Sequence, residues 1–187
     1  IFICEELKNY CVENFDYNKP YSIITNFVDV NTKPIFYNNK TEIFTIGYFG
    51  SITTYEGLPF LINVMKKINK EKIKVKLLLI GTIHDIMKQN IHLRIEVDLP
   101  FIEYIEWSDN LEYYYKKINL FCIPRYDYTV CNYVLPLKPY EVLLKKIPLL
   151  TSDCLVLQNL SNNGKYFMTF QRNNSDDLFN KLLKCIE

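Results

Sequence analysis

Three side chains between Cys122 and Asp153, in the run CIPRYDYTVCNYVLPLKPYEVLLKKIPLLTSD, have the types and spacing to do chemistry: Arg125, Lys138 and Glu141. A guanidinium makes paired hydrogen bonds to phosphate oxygens, and an ammonium adds a compact second charge. A carboxylate accepts from sugar hydroxyls. Two cations and one carboxylate suit a diphosphate joined to a sugar. Pro139 fits the first position of a helix, where its missing N–H costs nothing, and it sets Tyr140 and Glu141 in the first turn. Plainer readings exist for each. Arg125 could be a surface or structural arginine paired with Asp127, Lys138 a solvated charge, and Glu141 a residue that complements the helix dipole. Asp127 is an alternative sugar-reading acid.

A second constellation is GYFGSITTYEGL, from Gly47 to Leu58. Gly50 lets the backbone approach a ligand, and Ser51 to Thr54 offer hydroxyls and N–H groups before a helix expected from Glu56. The alternative is a tight turn with a threonine cap. No GxGxxG dinucleotide fingerprint is present, and no GKS or GKT of a P-loop follows. Ser51, Ser108 and Ser152 lack the GxSxG elbow of a hydrolase. His84 and His92, the two histidines, have no HxxxH, HxH or cysteine partner, so neither a metal nor a cofactor is expected.

These residues need a frame to hold them. Helical spacing runs from Ile3 to Asn14, a short strand is expected at YSIIT (21–25), and 26–40 reads as a loop. Strands are then expected at 42–50, 75–82, 102–107, 118–124, 147–152 and 165–170. Helices are expected at 56–69, 84–90, 110–117, 138–146 and from Ser175 to the end, with a weak one after Asp153. VKLLLIG is the continuous apolar run of a strand buried on both faces. Alternation of strand and helix with short connections predicts an α/β fold with a doubly wound, Rossmann-like parallel sheet. Residues 1–40 would be an N-terminal helix, strand and linker, and 41–187 the nucleotide-sugar-binding domain. In such sheets ligands sit beyond the carboxyl ends of the strands, so the amide end of the helix opening at Pro139 should face a crevice lined by both Glu141 and the Arg125 guanidinium.

The chain has 187 residues with 22 basic and 21 acidic side chains, so no global field recruits nucleic acid or an anionic membrane. Any anion site must be local. The six cysteines show no CxxC spacing and read as reduced thiols. No apolar stretch approaches the ~20 residues that span a bilayer. The opening IFICEELKNY does not have the form of a signal peptide and suggests a piece of a longer protein.

In order along the chain, ITNFVDV, GYFGSITTYEGL, LLLIG, IEYIEW, LFCIP and PLKPYEVLLKKIPLLTSD resemble the C-terminal, donor-binding half of GT-B glycosyltransferases, in particular the large retaining family 4. The resemblance implies a donor domain that binds a nucleoside diphosphate sugar for retaining transfer, of hexosyltransferase type, to a glycan or lipid-linked acceptor. It implies that Glu141 is the second Glu of the family's Glu, seven spacers, Glu motif and binds ribose hydroxyls. Three positions depart from the pattern. The first Glu falls on Tyr133, the Arg of the Gly-rich loop on Ser51, and the Lys five residues later on Glu56. Arg125 and Lys138 would then replace the lost cations, giving a donor site of Gly50, Ser51, Arg125, Lys138, Pro139, Tyr140 and Glu141. The acceptor would belong to an N-terminal domain outside this sequence, so the isolated chain should bind nucleotide yet catalyse little. A cytoplasmic setting is expected, with contact to the inner face of a membrane made through that missing half. The alternatives are a non-catalytic α/β nucleotide-binding or interaction module derived from a transferase half, a receiver-like domain lacking its acidic residues, and a nucleotide-sugar epimerase without a recognisable acid and base.

Overall fold

The computed structural model describes residues 1–29, 34–35, 43–89 and 95–187. Most of the loop expected over 26–40, the first residue of the strand expected from Glu42, and His92 lie outside the described residues. Six parallel strands form one sheet in the order β3-β2-β1-β4-β5-β6. They are β1 (Phe44–Phe49), β2 (Val75–Ile80), β3 (Ile102–Ile105), β4 (Leu120–Ile123), β5 (Leu149–Ser152) and β6 (Met168–Phe170). The expected α/β fold with a doubly wound parallel sheet is therefore present, its Rossmann-like order reversing between β1 and β4. At that reversal Gly50 follows β1 and Arg125 follows β4 closely.

β2 shows why the sequence chooses this architecture. Leu77 and Leu79 face one core with Ile46, Leu120 and the helix α2 (Leu58–Lys70), while Leu78 and Ile80 face the other with Phe49, Phe121 and Val142. A strand with apolar side chains on both faces must be covered twice, and parallel crossover helices do that. α2 buries Leu58, Leu61, Ile62, Val64, Met65 and Ile68, an i, i+3, i+4 stripe, each stabilising by about 1.5–3 kcal/mol. Lys67 and Lys70 lie in its last turn, where positive charge complements the dipole.

The expected helix start at Glu56 is corrected by two residues. Thr54–Glu56 form a single 3-10 turn, and Gly57 breaks the run at φ 71°. A Cβ there would stand 1.8 Å from the Pro124 carbonyl oxygen, so only glycine lets the turn dock on the end of β4. Among the described residues the strand expected at 21–25 reduces to one parallel bridge between Ile23 and Phe2. The loop after β4 contains a one-turn helix, α5 (Thr129–Tyr133), which the polar sequence did not suggest; it forms over the buried Cys131.

The remaining helices are α1 (Glu5–Phe15), α3 (Asp85–Gln89), α4 (Leu111–Tyr115), α6 (Lys138–Leu144), α7 (Leu155–Ser161) and α8 (Ser175–Ile186). α1 packs on α5, with the Tyr10 and Tyr133 rings 4.4 Å apart. Consecutive carbonyls leading into α6 are each held by a side chain. Cys4 Sγ donates to Tyr133 O at 3.2 Å, Arg125 Nη1 to Val134 O at 3.1 Å and Asn26 Nδ2 to Leu135 O at 2.8 Å. The position of α6 is thus set from three directions.

Candidate functional site

The sheet reversal brings the loop after β1 against the first turn of α6. Gly50, at φ 137°, lies under the Lys138 side chain: a Cβ at Gly50 would stand 2.4 Å from Lys138 Cε. Glycine is what lets this lysine cross the loop. Its ammonium then lies 5.0 Å over the Tyr48 ring, and Tyr48 donates its hydroxyl to the Ser51 carbonyl at 2.9 Å. Ser51 itself is exposed.

The side chain that ties the two cations together is Glu56, at a position where the family resemblance places a lysine. Glu56 is 3% exposed and accepts from Arg125 Nη2 at 3.0 Å, with Nε at 3.5 Å from its other oxygen. Lys138 Nζ lies 3.5 Å from the same carboxylate. Burial alone would raise the Glu56 carboxyl, but the Lys138 and Arg125 charges together hold it below the usual carboxylate range. Burial chiefly, with the Arg125 charge, draws the Lys138 ammonium down against the pull of Glu56. Arg125 keeps a raised value, because the Glu56 charge and hydrogen bond outweigh its own desolvation. Two cations and one carboxylate leave the cluster with one net positive charge.

Arg125 is not where it was expected. It is 6% exposed, bonded to Glu56 and Val134 O, and does not line the cavity that Glu141 lines. The alternative pairing with Asp127 is also corrected. Asp127 accepts from Arg172 Nη1 at 3.0 Å and from Asn132 Nδ2 at 3.0 Å, a latch that ties the loop after β4 to the loop after β6. Arg125 lies directly behind apolar β4, so the interior was its nearest exit from water, and a buried carboxylate 69 residues earlier in the chain makes that burial tolerable.

Glu141 lines a cavity of about 530 Å³ with Val28, Ser108, Leu111, Tyr115 and Leu137 among its walls. The Tyr115 hydroxyl lies 3.5 Å from Glu141 Oε2 and is its donor. Desolvation first, and the Glu141 charge next, push the Tyr115 phenol up, so it stays a donor. Pro139 lies in the first turn of α6, at its second position and not the first. The amides of Tyr140 and Glu141 already point at the Leu137 carbonyl, which leaves little of the expected free amide end. The threonine cap is absent too: Thr53 makes no side-chain cap bond, and its hydroxyl is buried without a partner among the described residues.

Gly50, Lys138 and Glu141 thus share one rim of the sheet with Glu56 and Arg125 beneath, and the sequence from residue 43 to 187 matches the model of the glycosyl transferases group 1 family. The chain belongs to that family. No curated protein matches it. Among solved structures, a glycosyltransferase of Rickettsia africae shares the fold over 98% of this chain and 52% of its own, at 13% identity and a TM-score of 0.73. HepE of Anabaena, solved with UDP and glucose, matches 89% of this chain and 47% of its own at 15% identity and a TM-score of 0.69. The C-terminal domain of a group 1 glycosyl transferase of Francisella tularensis matches 86% of this chain and 88% of its own, at 15% identity and a TM-score of 0.62. This group 1 family member therefore has the Rossmann-like fold of GT-B domains and spans about half the length of the Rickettsia protein. No helix among its described residues is long and apolar enough to cross a membrane.

Proposed function

We propose that this chain is the donor-binding half of a retaining glycosyltransferase and holds a nucleoside diphosphate sugar across the carboxyl ends of β1 and β4. The observation that carries the reading is the juxtaposition of three features at the carboxyl edge of the sheet: the Lys138 ammonium over Gly50, Glu141 one turn on, and the cavity that Glu141 lines beside Ser108 and Leu111. A diphosphate would lie at Gly50, Ser51 and Lys138. The ribose would meet Glu141 beside Pro139 and Tyr140, and the base would enter the cavity. Charge grows on the diphosphate as the sugar leaves, and a positive cluster held in a low-dielectric wall stabilises it without reorganising. The acceptor, a glycan or a lipid-linked sugar, would be held by a second domain outside this sequence. We accordingly place the hexosyl transfer itself beyond the reach of the isolated chain, in a cytoplasmic protein whose contact with a membrane runs through that other half. HepE was solved with UDP and glucose, which supports a nucleotide sugar as ligand.

Calorimetric titration with UDP and GDP tests the reading, one of them binding with Kd of about 1 μM to 1 mM, the usual range for enzyme substrates. Glu141→Gln should weaken that binding. One observation favours a second reading, a non-catalytic module derived from a transferase half. Glu56 stands where the family's resemblance places a lysine, and it neutralises one of two cations. Failure of both nucleotides to bind at millimolar concentration would select that module and sink the donor reading.

A further inference from the structure

The two cations of the cluster are not equivalent. Arg125 is held on three sides, by both Glu56 oxygens and by Val134 O, and its side chain is 7% exposed. Three of its five N–H donors are thereby taken up inside the protein. Lys138 keeps 17% of its side chain exposed and meets Glu56 only at 3.5 Å, longer than the 2.7–2.9 Å of a tight charge-assisted hydrogen bond. Its path over Gly50 ends beside the backbone of the Gly50–Ser51 loop, on the rim that leads to Glu141. Glu56 has one negative charge to share. With Arg125 in place that charge is met from within, and Lys138 retains most of its own. Without Arg125 the carboxylate would be left to Lys138, and the wall would become neutral.

We infer that Lys138 is the cation of this cluster that meets the donor's diphosphate, and that Arg125 is a positioning residue that never touches it, occupying Glu56 so that the Lys138 charge stays available to the ligand. The inference rests on the donor-domain reading. It reverses the equal roles that the residue types alone suggest for Arg125 and Lys138, and it explains a carboxylate beneath a site for anions.

The test uses the whole chain and the ratio of UMP to UDP dissociation constants, which isolates the second phosphate from base and ribose. GDP and GMP serve if guanosine is the nucleoside bound. Lys138→Gln should reduce the ratio by about tenfold or more, as expected for a charged hydrogen bond, and leave UMP affinity within about threefold. Lys138→Arg should keep most of the ratio. Arg125→Gln alone should also reduce it, because Glu56 then captures Lys138. The double variant Glu56→Gln, Arg125→Gln removes both buried charges, keeps one net positive charge, and should restore the ratio to within about threefold of the unaltered chain. That rescue is the readout a merely structural arginine would not produce. A double variant that falls as far as Lys138→Gln would put Arg125 on the phosphate and overturn the inference, as would a ratio indifferent to Lys138→Gln. Thermal melts establish that each variant is folded, and the double variant keeps the test open if Arg125→Gln alone is not. Failure of the unaltered chain to bind either nucleotide removes the donor reading and this inference together.

Discussion

Replacing Glu56 by leucine should be among the most damaging single changes in this protein, and the size follows from its surroundings. Glu56 is 3% exposed and faces Arg125, itself 6% exposed, so the substitution strands a guanidinium away from both water and its counter-ion. Removing one partner of a buried ion pair costs about 3–5 kcal/mol, against a total stability of about 5–15 kcal/mol for a typical domain. For a chain of this size each kcal/mol moves the melting temperature by about 2–4 °C, so Glu56→Leu should lower Tm by about 6–20 °C. Arg125→Met should cost less, because Glu56 keeps Lys138 at 3.5 Å. The double variant should cost clearly less than the sum, since an apolar pair of similar volume leaves no stranded charge. Urea unfolding of the four proteins at pH 7 closes the cycle. The pH dependence has a definite sign. The folded carboxyl lies below its unfolded value of about 4.3, so the unfolded state binds the extra proton first as pH falls. The contribution is complete above about pH 4.3 and disappears as pH drops through the folded value. The gap between unaltered protein and Glu56→Leu should narrow in that window alone. A Glu56→Leu cost below about 1 kcal/mol, or strict additivity in the cycle, would refute the reasoning.

Other outcomes follow from the same geometry. Gly57→Ala should destabilise by more than about 2 kcal/mol in urea, because φ is +71° and the new Cβ meets Pro124 O at 1.8 Å; Gly164→Ala, with φ +81° but its nearest neighbour at 4.0 Å, should cost only the conformational share of about 1 kcal/mol. The preference for UDP over UMP should be lost with rising pH before the ordinary lysine value of about 10.4, because burial lowers the Lys138 ammonium and only its protonated form attracts the second phosphate; a ratio flat to pH 10 would contradict this. Glu141→Gln should weaken UDP but leave 2′,3′-dideoxy-UDP nearly unchanged, a difference readable by calorimetry. In the folded protein Cys11 and Cys185, half-buried, should react with a thiol reagent well before Cys4, Cys122, Cys131 and Cys154, which are buried and should react only on unfolding.

The frame was legible because its signals are local. VKLLLI can only be a strand covered on both faces, and the stripe of α2 can only face a core. Boundaries failed where one backbone angle decides them: nothing in YEGLP says that Gly57 sits at φ 71° against Pro124, and the helix start moved accordingly. The strand expected at 21–25 has the right residue types but, among the described residues, pairs only through Ile23 with Phe2. α5 has neither the length nor the period that makes a helix readable, and it exists because Cys131 is buried beneath it. At the site, residue types singled out Lys138, Glu141 and Gly50 as candidates, and in the structure the Lys138 side chain lies over Gly50. Arg125 reads as a phosphate ligand, with pairing to Asp127 as the plainer alternative; its actual partner, Glu56, is 69 residues away, where local sequence does not point.

A signal for that longer pairing does exist in the chain. By resemblance to family 4, Glu56 puts a negative charge where a cation belongs, and Arg125 and Lys138 add two cations on the opposite wall. Read separately, these are a loss and a coincidence. Read together, they are a transfer of positive charge from the loop after β1 to the start of α6, with Glu56 as its counterweight. Coulomb's law makes the three positions interdependent: restoring a lysine at 56 alone would set three cations within one buried cluster and strand Arg125. Glu56→Lys should therefore destabilise the fold and weaken UDP, although it recreates the family's residue. Adding Lys138→Glu, which returns a carboxylate beside the new lysine, should recover stability in part but not the UDP preference, because the cation on the rim is then gone. If Glu56→Lys by itself binds UDP more tightly in a stable protein, the two walls act independently, and the counterweight role of Glu56 fails.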